Sequence, residues 1–400
     1  MTLLPVEKAR VRILAGVRPL AREPVAVGEA LGRTLAADLV ARRDQPPCAV
    51  SAMDGFAVRA ADVERVPATL TLIGVASAGR ASRRPVGPGE AVRIFTGAAV
   101  PEGADAIVIQ ENARVAEAKV TVAEPAAPGK FIRRQGLDFR RGETLLIAPC
   151  RLGPRELGLA AAMGHGVIGV RRRPVVAILA TGNELVPPGA TPRSGQIVSS
   201  NTIALAGLVE LWGGMARDLG IARDELAATR ASLAHAAGAD ILLTTGGASV
   251  GEHDLVRQAL LAEGYKLGFW KIAMRPGKPL MFAMRGRQRA LGLPGNPVSA
   301  IVCAQVFLKP LLAALLGREP AEAVIQARLA TALPANDRRQ DYLRARLERR
   351  PDGTLTATPF AVQDSSMQRT LALADGLIVR PPFDEFRPAG AMVTVLPLDF

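Results

Sequence analysis

The sequence predicts an α/β plus β protein of several domains, with a doubly wound parallel sheet at its centre. Three observations carry that reading. Between residues 175 and 316, short apolar runs alternate with helical patterns, as βαβ units do. Residues 69–147 and 323–400 instead carry short β-patterned runs broken by Gly and Pro. The chain has 400 residues, 49% hydrophobic and 22% charged. That exceeds one core and suggests about two to four folded domains.

In chain order, helices are expected at 5–17 and 27–37, before a proline-marked break at 42–47. Ser51-Ala-Met-Asp54-Gly-Phe-Ala is extended, with a turn at Asp54-Gly55. Strands follow at 69–76, 91–95, 106–109, 118–122 and 144–147, forming a small β-rich domain. Pro154 opens a helix through Met163, and Gly164 lies just past its end. After a basic hinge at 171–174 come strand 175–180, loop 181–196, helix 201–213, strand 215–221 and helix 223–236. Strand 240–244, helix 254–263, strands 279–283 and 289–293 and helix 297–316 complete the α/β part. Strands at 342–348, 354–358, 376–379 and 391–397 make a terminal, barrel-like β-domain.

Several function classes recede on composition. The most apolar run, Ala300–Gly317, carries Lys309-Pro310 in its middle and reads as a buried helix, not a membrane span. The first residues hold no apolar signal segment, so a cytoplasmic protein is expected. Cys48, Cys150 and Cys303 are widely spaced, and no His or Cys pair has zinc-ligand spacing. The net charge of +13 invites a nucleic-acid reading, but the arginines are dispersed and there are only two Trp and two Tyr for stacking. A basic protein that handles acidic small molecules fits better.

The candidate site lies in glycine-bearing loops that follow or precede the apolar runs. They are Thr181-Gly182-Asn183-Glu184, Thr245-Gly246-Gly247-Ala-Ser249-Val-Gly251-Glu-His-Asp254, Pro276-Gly277-Lys278 and Pro294-Gly295-Asn296-Pro297. Glycine at a strand end lets backbone N–H groups approach an anion, and open α/β sheets bind ligands at that edge. Lys266, Lys271 and Lys278 cluster in one segment, although only seven of the 50 basic side chains are lysines. Cations beside glycine loops suit a polyanion.

The order of these motifs, joined by Phe95-Thr96-Gly97-Ala98 and Gly136-Leu-Asp138-Phe-Arg-Arg-Gly142, resembles the molybdopterin molybdenumtransferase family, whose animal member is the gephyrin E domain. The likeness covers nearly the whole chain. It implies five segments in four parts. An elongated linking domain is built from 1–44, with the N-terminal helices, and 141–173. Residues 45–140 form an inserted β-rich domain, 174–318 a molybdopterin-binding α/β domain and 319–400 a C-terminal β-barrel. It implies a homodimer whose active site is shared between subunits. The reaction it implies is transfer of molybdate onto adenylylated molybdopterin with loss of AMP, assisted by Mg2+. Transient contact with a molybdopterin adenylyltransferase and with molybdoenzyme maturation factors would follow.

On that resemblance the catalytic candidates are Asp54, Thr96, Asp138, Glu184, Asp224, Asp254, Lys271, Arg275 and Arg344. The pterin and phosphate candidates are Gly182, Gly246, Gly247, Ser249, Gly251, Gly277, Lys278, Pro294, Gly295, Asn296 and Ser365. Asp54, Glu184 and Asp254 are the expected Mg2+ ligands, since Mg2+ takes oxygen donors. Asp224 serves equally well as the N-cap of its helix. The chain departs from the family pattern at Asn183, where Asp is usual, at Ser199, at Arg275 and across 363–370. Those changes keep a second reading open, a non-catalytic pterin-binding carrier or scaffold on the same fold. A third, an adenylyltransferase, needs only the α/β part.

Overall fold

The structure, a computed structural model, describes residues 3–246, 255–320, 324–398 and 400. The chain forms two compact units. One comprises residues 1–23, 32–36 and 170–400, the other 24–31 and 37–169.

The larger unit holds a six-stranded sheet. Its order is Met215–Ala222, Val175–Thr181, Ile241–Thr245, Gln288–Leu293, Met281–Arg285, Lys266–Trp270; the first four are mutually parallel, Met281–Arg285 pairs antiparallel to Gln288–Leu293, and Lys266–Trp270 antiparallel to Met281–Arg285. Val175–Thr181 is buried at every residue. Such a strand must be covered on both faces, which explains its unbroken apolar sequence. The alternation of side chains divides the core accordingly. Val176, Ile178, Ile241, Leu243, Phe282 and Leu291 pack with helices Val6–Leu14, Asn201–Leu211 and the 297–315 segment. Val175, Ala177, Leu179, Leu242 and Ala290 pack on the other face with helices Leu226–Ala234 and Leu255–Ala262. The sheet is thus doubly wound, as the sequence predicts.

Pro297–Leu315 is long and apolar enough to cross a membrane, but 83% of that stretch is buried within the protein. It is a core helix. Pro310 cannot donate to the helical ladder, and the turn just before it, Ala304–Leu308, widens to π geometry.

Five strands close the C-terminal barrel: Gln340–Arg349, Leu355–Pro359, Ile325–Leu329, Met392–Pro397 and Gly376–Arg380, the last pairing back onto the first. Ala327, Leu329, Ala345, Ala357, Ile378 and Val395 fill it.

The smaller unit carries a six-stranded sheet in the order Ala106–Ile109, Gly55–Val58, Glu90–Ile94, Ala68–Ala76, Lys119–Val122, Ala113–Ala116. Gly55 is required there. A Cβ at that position would lie 2.0 Å from the Val108 carbonyl oxygen.

Some expectations are corrected. No helix spans 27–37. The chain makes a strand at Arg22–Ala26 and a single 3-10 turn at Val27–Glu29. Gly28 and Gly32 interrupt the helical spacing of Val27, Ala30 and Leu31, and Gly32 turns with φ +75°. Thr144–Leu146 does not join the six-stranded sheet but pairs with Leu39–Val40. The loop 181–196 contains one strand of a short parallel ladder, Leu185–Val186 against Ile197–Val198. Strands Ala113–Ala116 and Lys266–Trp270 lack the clean period that would announce them.

Candidate functional site

The C-terminal ends of Val175–Thr181, Ile241–Thr245 and Gln288–Leu293 lie at one edge of the sheet. Met281 pairs antiparallel with Gly292, so the loop entering Met281–Arg285 reaches the same edge. Topology therefore gathers four sequence-distant loops.

Glycine lets them close on one another. Gly246 has φ +90°, and a Cβ there would lie 2.2 Å from the Thr181 carbonyl oxygen. Gly295 approaches the Cα of Gly246 closely enough that its own Cβ would sit 3.5 Å away. Gly277, at φ +118°, packs where a Cβ would meet Cys303 Sγ at 2.6 Å. Over Gly182, at φ +152°, the Glu184 carboxylate folds back.

Two adjoining cavities open at this edge. One, of about 390 Å³, is bordered by Thr181, Glu184, Ser199, Asn201, Gly246 and Asn296, among others. The second, of about 660 Å³, is bordered by Arg275, Gly277, Lys278, Pro294, Arg339 and Ser365, among others. Glu184, Gly246, Gly295 and Asn296 border both. The N-terminus of helix Asn201–Leu211 faces the first cavity, presenting free N–H groups and the positive end of its dipole. Thr181 Oγ1 is buried there without a hydrogen-bond partner among the described residues.

Side-chain amides hold the loops. Asn201 Nδ2 donates to Thr245 Oγ1 at 2.9 Å and to the Gly295 carbonyl at 2.8 Å, joining two strand ends. Asn296 Nδ2 donates to Ser365 Oγ at 2.6 Å, and the Ser365 carbonyl accepts from Val298 N–H at 3.0 Å. Gln368 Nε2 donates to Ser200 Oγ at 2.7 Å. The 363–370 segment, which departs from the family pattern, thus supports the cavity wall.

The cations fare unequally. Lys278 is exposed and borders the larger cavity. Lys271 does not line either cavity; its Nζ sits 4.1 Å from the Trp270 ring centroid. Lys266 is an exposed strand residue. The lysine cluster therefore yields one cavity cation. Arg275 borders the cavity while its Nε donates to Asp341 Oδ1 at 2.9 Å. Arg344 is 1% exposed and lines neither cavity. Gln363 holds it, accepting from its N–H at 3.0 Å and its Nε at 3.2 Å.

Asp224 does not cap helix Leu226–Ala234, whose N-cap is Glu225. It forms a reciprocal pair with Asn183. Asn183 N–H donates to Asp224 Oδ2 at 3.1 Å, and Asp224 N–H donates to Asn183 Oδ1 at 3.2 Å. Gly247, Ser249, Gly251 and Asp254 lie outside the described residues.

Asp54, Thr96 and Asp138 belong to the smaller unit. Thr96 donates its N–H and its hydroxyl to Asp54 Oδ1, at 2.7 and 2.8 Å. Those bonds hold the Asp54 carboxyl below its ordinary range, with the backbone N–H the larger cause. Asp138 borders a separate cavity of about 670 Å³ with Gln45, Cys48 and Arg133.

Sequence reasoning missed Asn201, Ser299, Arg339, Gln363 and Asp364 as cavity residues. Asn201 stands 44 residues from the hydroxyl it binds, and no local pattern encodes that contact.

A doubly wound sheet with N–H donors, a helix N-terminus and cations converging on strand-end cavities defines an α/β protein suited to an anionic ligand. The chain matches the MoeA N-terminal region (domain I and II) over residues 4–164, a probable molybdopterin binding domain over 177–314 and the MoeA C-terminal region (domain IV) over 326–398. It is 38% identical to the molybdopterin molybdenumtransferase of Synechococcus elongatus, covering 94% of each chain. It is 34% identical to that of Bacillus subtilis, covering 99% of this chain and 94% of the other. The crystal structure of the molybdopterin biosynthesis MoeA protein of Pyrococcus horikoshii superposes with a TM-score of 0.85 at 31% identity, covering all of both chains. The chain belongs to the molybdopterin molybdenumtransferase family.

Proposed function

We propose that this chain is a molybdopterin molybdenumtransferase, inserting molybdate into adenylylated molybdopterin and releasing AMP. The observation that carries the reading is the pair of adjoining cavities sharing Glu184, Gly246, Gly295 and Asn296 at the C-terminal sheet edge. They offer a two-part site for a two-part substrate.

That substrate is polyanionic, so binding needs donors and positive charge without a large desolvation cost. The loop N–H groups and the N-terminus of Asn201–Leu211 supply donors, and Lys278 and Arg275 supply charge. Asn201 and Asn296 fix the loops through hydrogen bonds already made. The donors are therefore preorganised when charge shifts in the reaction. Arg275 is oriented by Asp341, which accepts from its Nε and Nη2, and its Nη1 lies 3.9 Å from Asp337.

Mg2+ suits these donors. It keeps several waters and binds through one or two carboxylates plus substrate phosphates. Glu184 presents an exposed carboxylate to both cavities, with serine hydroxyls beside it. Glu184, with Asp254 and Asp54 as further ligands, would hold the ion. When bound, Mg2+ neutralises pyrophosphate charge.

In the same reading the working species is a homodimer, Asp54 and Thr96 of one subunit serving the strand-edge cavity of the other. It works in the cytoplasm, where free Cys48, Cys150 and Cys303 stay reduced. A molybdopterin adenylyltransferase supplies its substrate, and maturation factors receive the product.

The direct test is incubation with adenylylated molybdopterin, Mg2+ and molybdate, following AMP release and active cofactor. Pterin binding without AMP release would instead support the carrier reading. For the shared site, co-express an Asp54→Asn chain with an Asp254→Asn chain, each inactive alone. About one quarter of wild-type sites should return, because one cleft of each heterodimer holds both lesions and the other none. No recovery in a confirmed heterodimer refutes the shared site.

A further inference from the structure

The opposite, N-terminal edge of the same sheet carries a cavity of about 580 Å³ bordered by Arg18, Arg172, Arg287 and Arg289, with Asp240 the acidic residue in its lining. We propose that this cavity is a second anion site, which binds a phosphoryl group through Arg18, Arg287 and Arg289.

Its construction argues for a site. Asp240 immediately precedes strand Ile241–Thr245, and Arg289 pairs with Ile241 at that strand's start. A five-residue strand runs about 13 Å, so the cavity is a sheet's length from the Thr245–Gly246 edge. Asp240 is already committed. Arg172 grips it through two hydrogen bonds, at 3.0 and 2.8 Å, and Val175 N–H donates to it at 2.8 Å.

Among the described residues, Arg289 has no such counter-ion. It is 4% exposed and donates to the carbonyl oxygens of Ile13, Arg287 and Ala15, at 3.0, 3.1 and 2.8 Å. A guanidinium has five N–H donors, so two remain, and three neutral carbonyls leave its charge uncompensated. Burial correspondingly pushes its pKa down. Arg18 and Arg287 are exposed at the rim.

The wall is fixed. Leu20 N–H donates to the Leu315 carbonyl at 2.8 Å, and Arg172 N–H to the Ala21 carbonyl at 2.9 Å. Four guanidinium groups against one engaged carboxylate favour an oxyanion, and guanidinium forks match phosphoryl oxygens. A concave cavity favours a small molecule over an acidic protein segment.

The source is either free inorganic phosphate or a phosphate monoester such as a nucleoside monophosphate. Equilibrium dialysis of the intact protein with labelled inorganic phosphate, and separately with AMP, distinguishes them. Three proteins are compared: wild type, Arg18→Ala/Arg287→Ala and Lys278→Ala. Wild type should show a site that survives Lys278→Ala but weakens about tenfold or more in the double variant, for one or both ligands. Phosphate binding identifies the free ion as source, and binding of AMP alone identifies the ester. The double variant should match wild type in thermal midpoint without ligand and in AMP release from adenylylated molybdopterin. An Arg287→Glu variant should abolish the site. The proposal is overturned if neither ligand binds or if the double variant binds as wild type does. It stands whatever the outcome of the transferase assay.

Discussion

The two edges of one sheet meet negative charge by different means. At the C-terminal edge the work falls to backbone geometry: Gly182, Gly246, Gly277 and Gly295 let the loops close on one another, with Lys278 and Arg275 at the border. At the N-terminal edge it falls to side chains, with four arginines around one engaged aspartate. Backbone donors are satisfied or exposed without carrying net charge, so a glycine edge tolerates an empty state at little cost. A buried guanidinium such as Arg289 keeps its charge and stores a demand for an anion. The C-terminal edge should therefore be sensitive to shape, and the N-terminal edge to charge.

The largest test is Gly246→Ala. The new Cβ would meet backbone, the Thr181 carbonyl oxygen, at 2.2 Å, and φ +90° is already unfavourable for alanine. Neither can be relieved by a side-chain rotation. We expect a loss of about 2–4 kcal/mol in urea unfolding and no measurable AMP release. Arg287→Ala at the opposite edge should cost under about 0.5 kcal/mol, since Arg287 is exposed. Equal effects of the two would break the contrast.

This contrast also marks what the sequence could disclose. Glycine loops are contiguous, and Thr181–Glu184, Thr245–Gly246, Pro276–Lys278 and Pro294–Pro297 stand out in one dimension. The doubly wound sheet was legible for the same reason, as each strand is a local apolar run. The arginine cavity was not. Arg18, Arg172, Arg287 and Arg289 lie up to 271 positions apart, among 43 arginines, and only the fold gathers them. The lysine cluster shows the converse. Lys271 and Lys278 are near in sequence, yet one stacks on Trp270 and the other borders a cavity. Helix 27–37 failed because three apolar residues at helical spacing said nothing of the glycines' turn.

The second test separates those lysines. Lys278→Ala should lower kcat/KM about 10- to 100-fold, the range for one charge-assisted contact to an anion. Lys271→Ala should stay within about twofold, because its ammonium serves the Trp270 ring. Steady-state AMP release at limiting pterin checks both. If Lys271→Ala fell as far as Lys278→Ala, the assignment of the cavity cation would be wrong.

A third test concerns the ties between loops. Asn201→Ala removes the donors to Thr245 Oγ1 and the Gly295 carbonyl. We expect a loss of about 1–2 kcal/mol in thermal or urea unfolding, with KM for the pterin raised. Asn201→Asp should not restore it, since a carboxylate cannot donate to a carbonyl.

The smallest effect is a pH dependence at the border of the larger cavity. Asp337 is held down to about 2 from an ordinary 3.8, chiefly by its hydrogen bond from the Arg339 side chain. Arg339 also lines that cavity. A carboxylate whose pKa is lower in the folded state binds fewer protons folded than unfolded below the ordinary value. Its contribution to stability is therefore fully present above about 3.8 and is lost as pH falls through about 2. Asp337's side chain is 47% exposed, so solvent screening limits the contribution to a fraction of a kcal/mol. Arg339→Gln should lower the unfolding free energy by that small amount at neutral pH. The gap from wild type should close between about pH 3.8 and 2, and added salt should shrink it. Unfolding curves of the two proteins, at matched ionic strength from pH 7 downward, test this directly. A gap that widened toward acid, or one indifferent to salt, would mean that Arg339 acts through packing of the cavity border and not through its charge on Asp337.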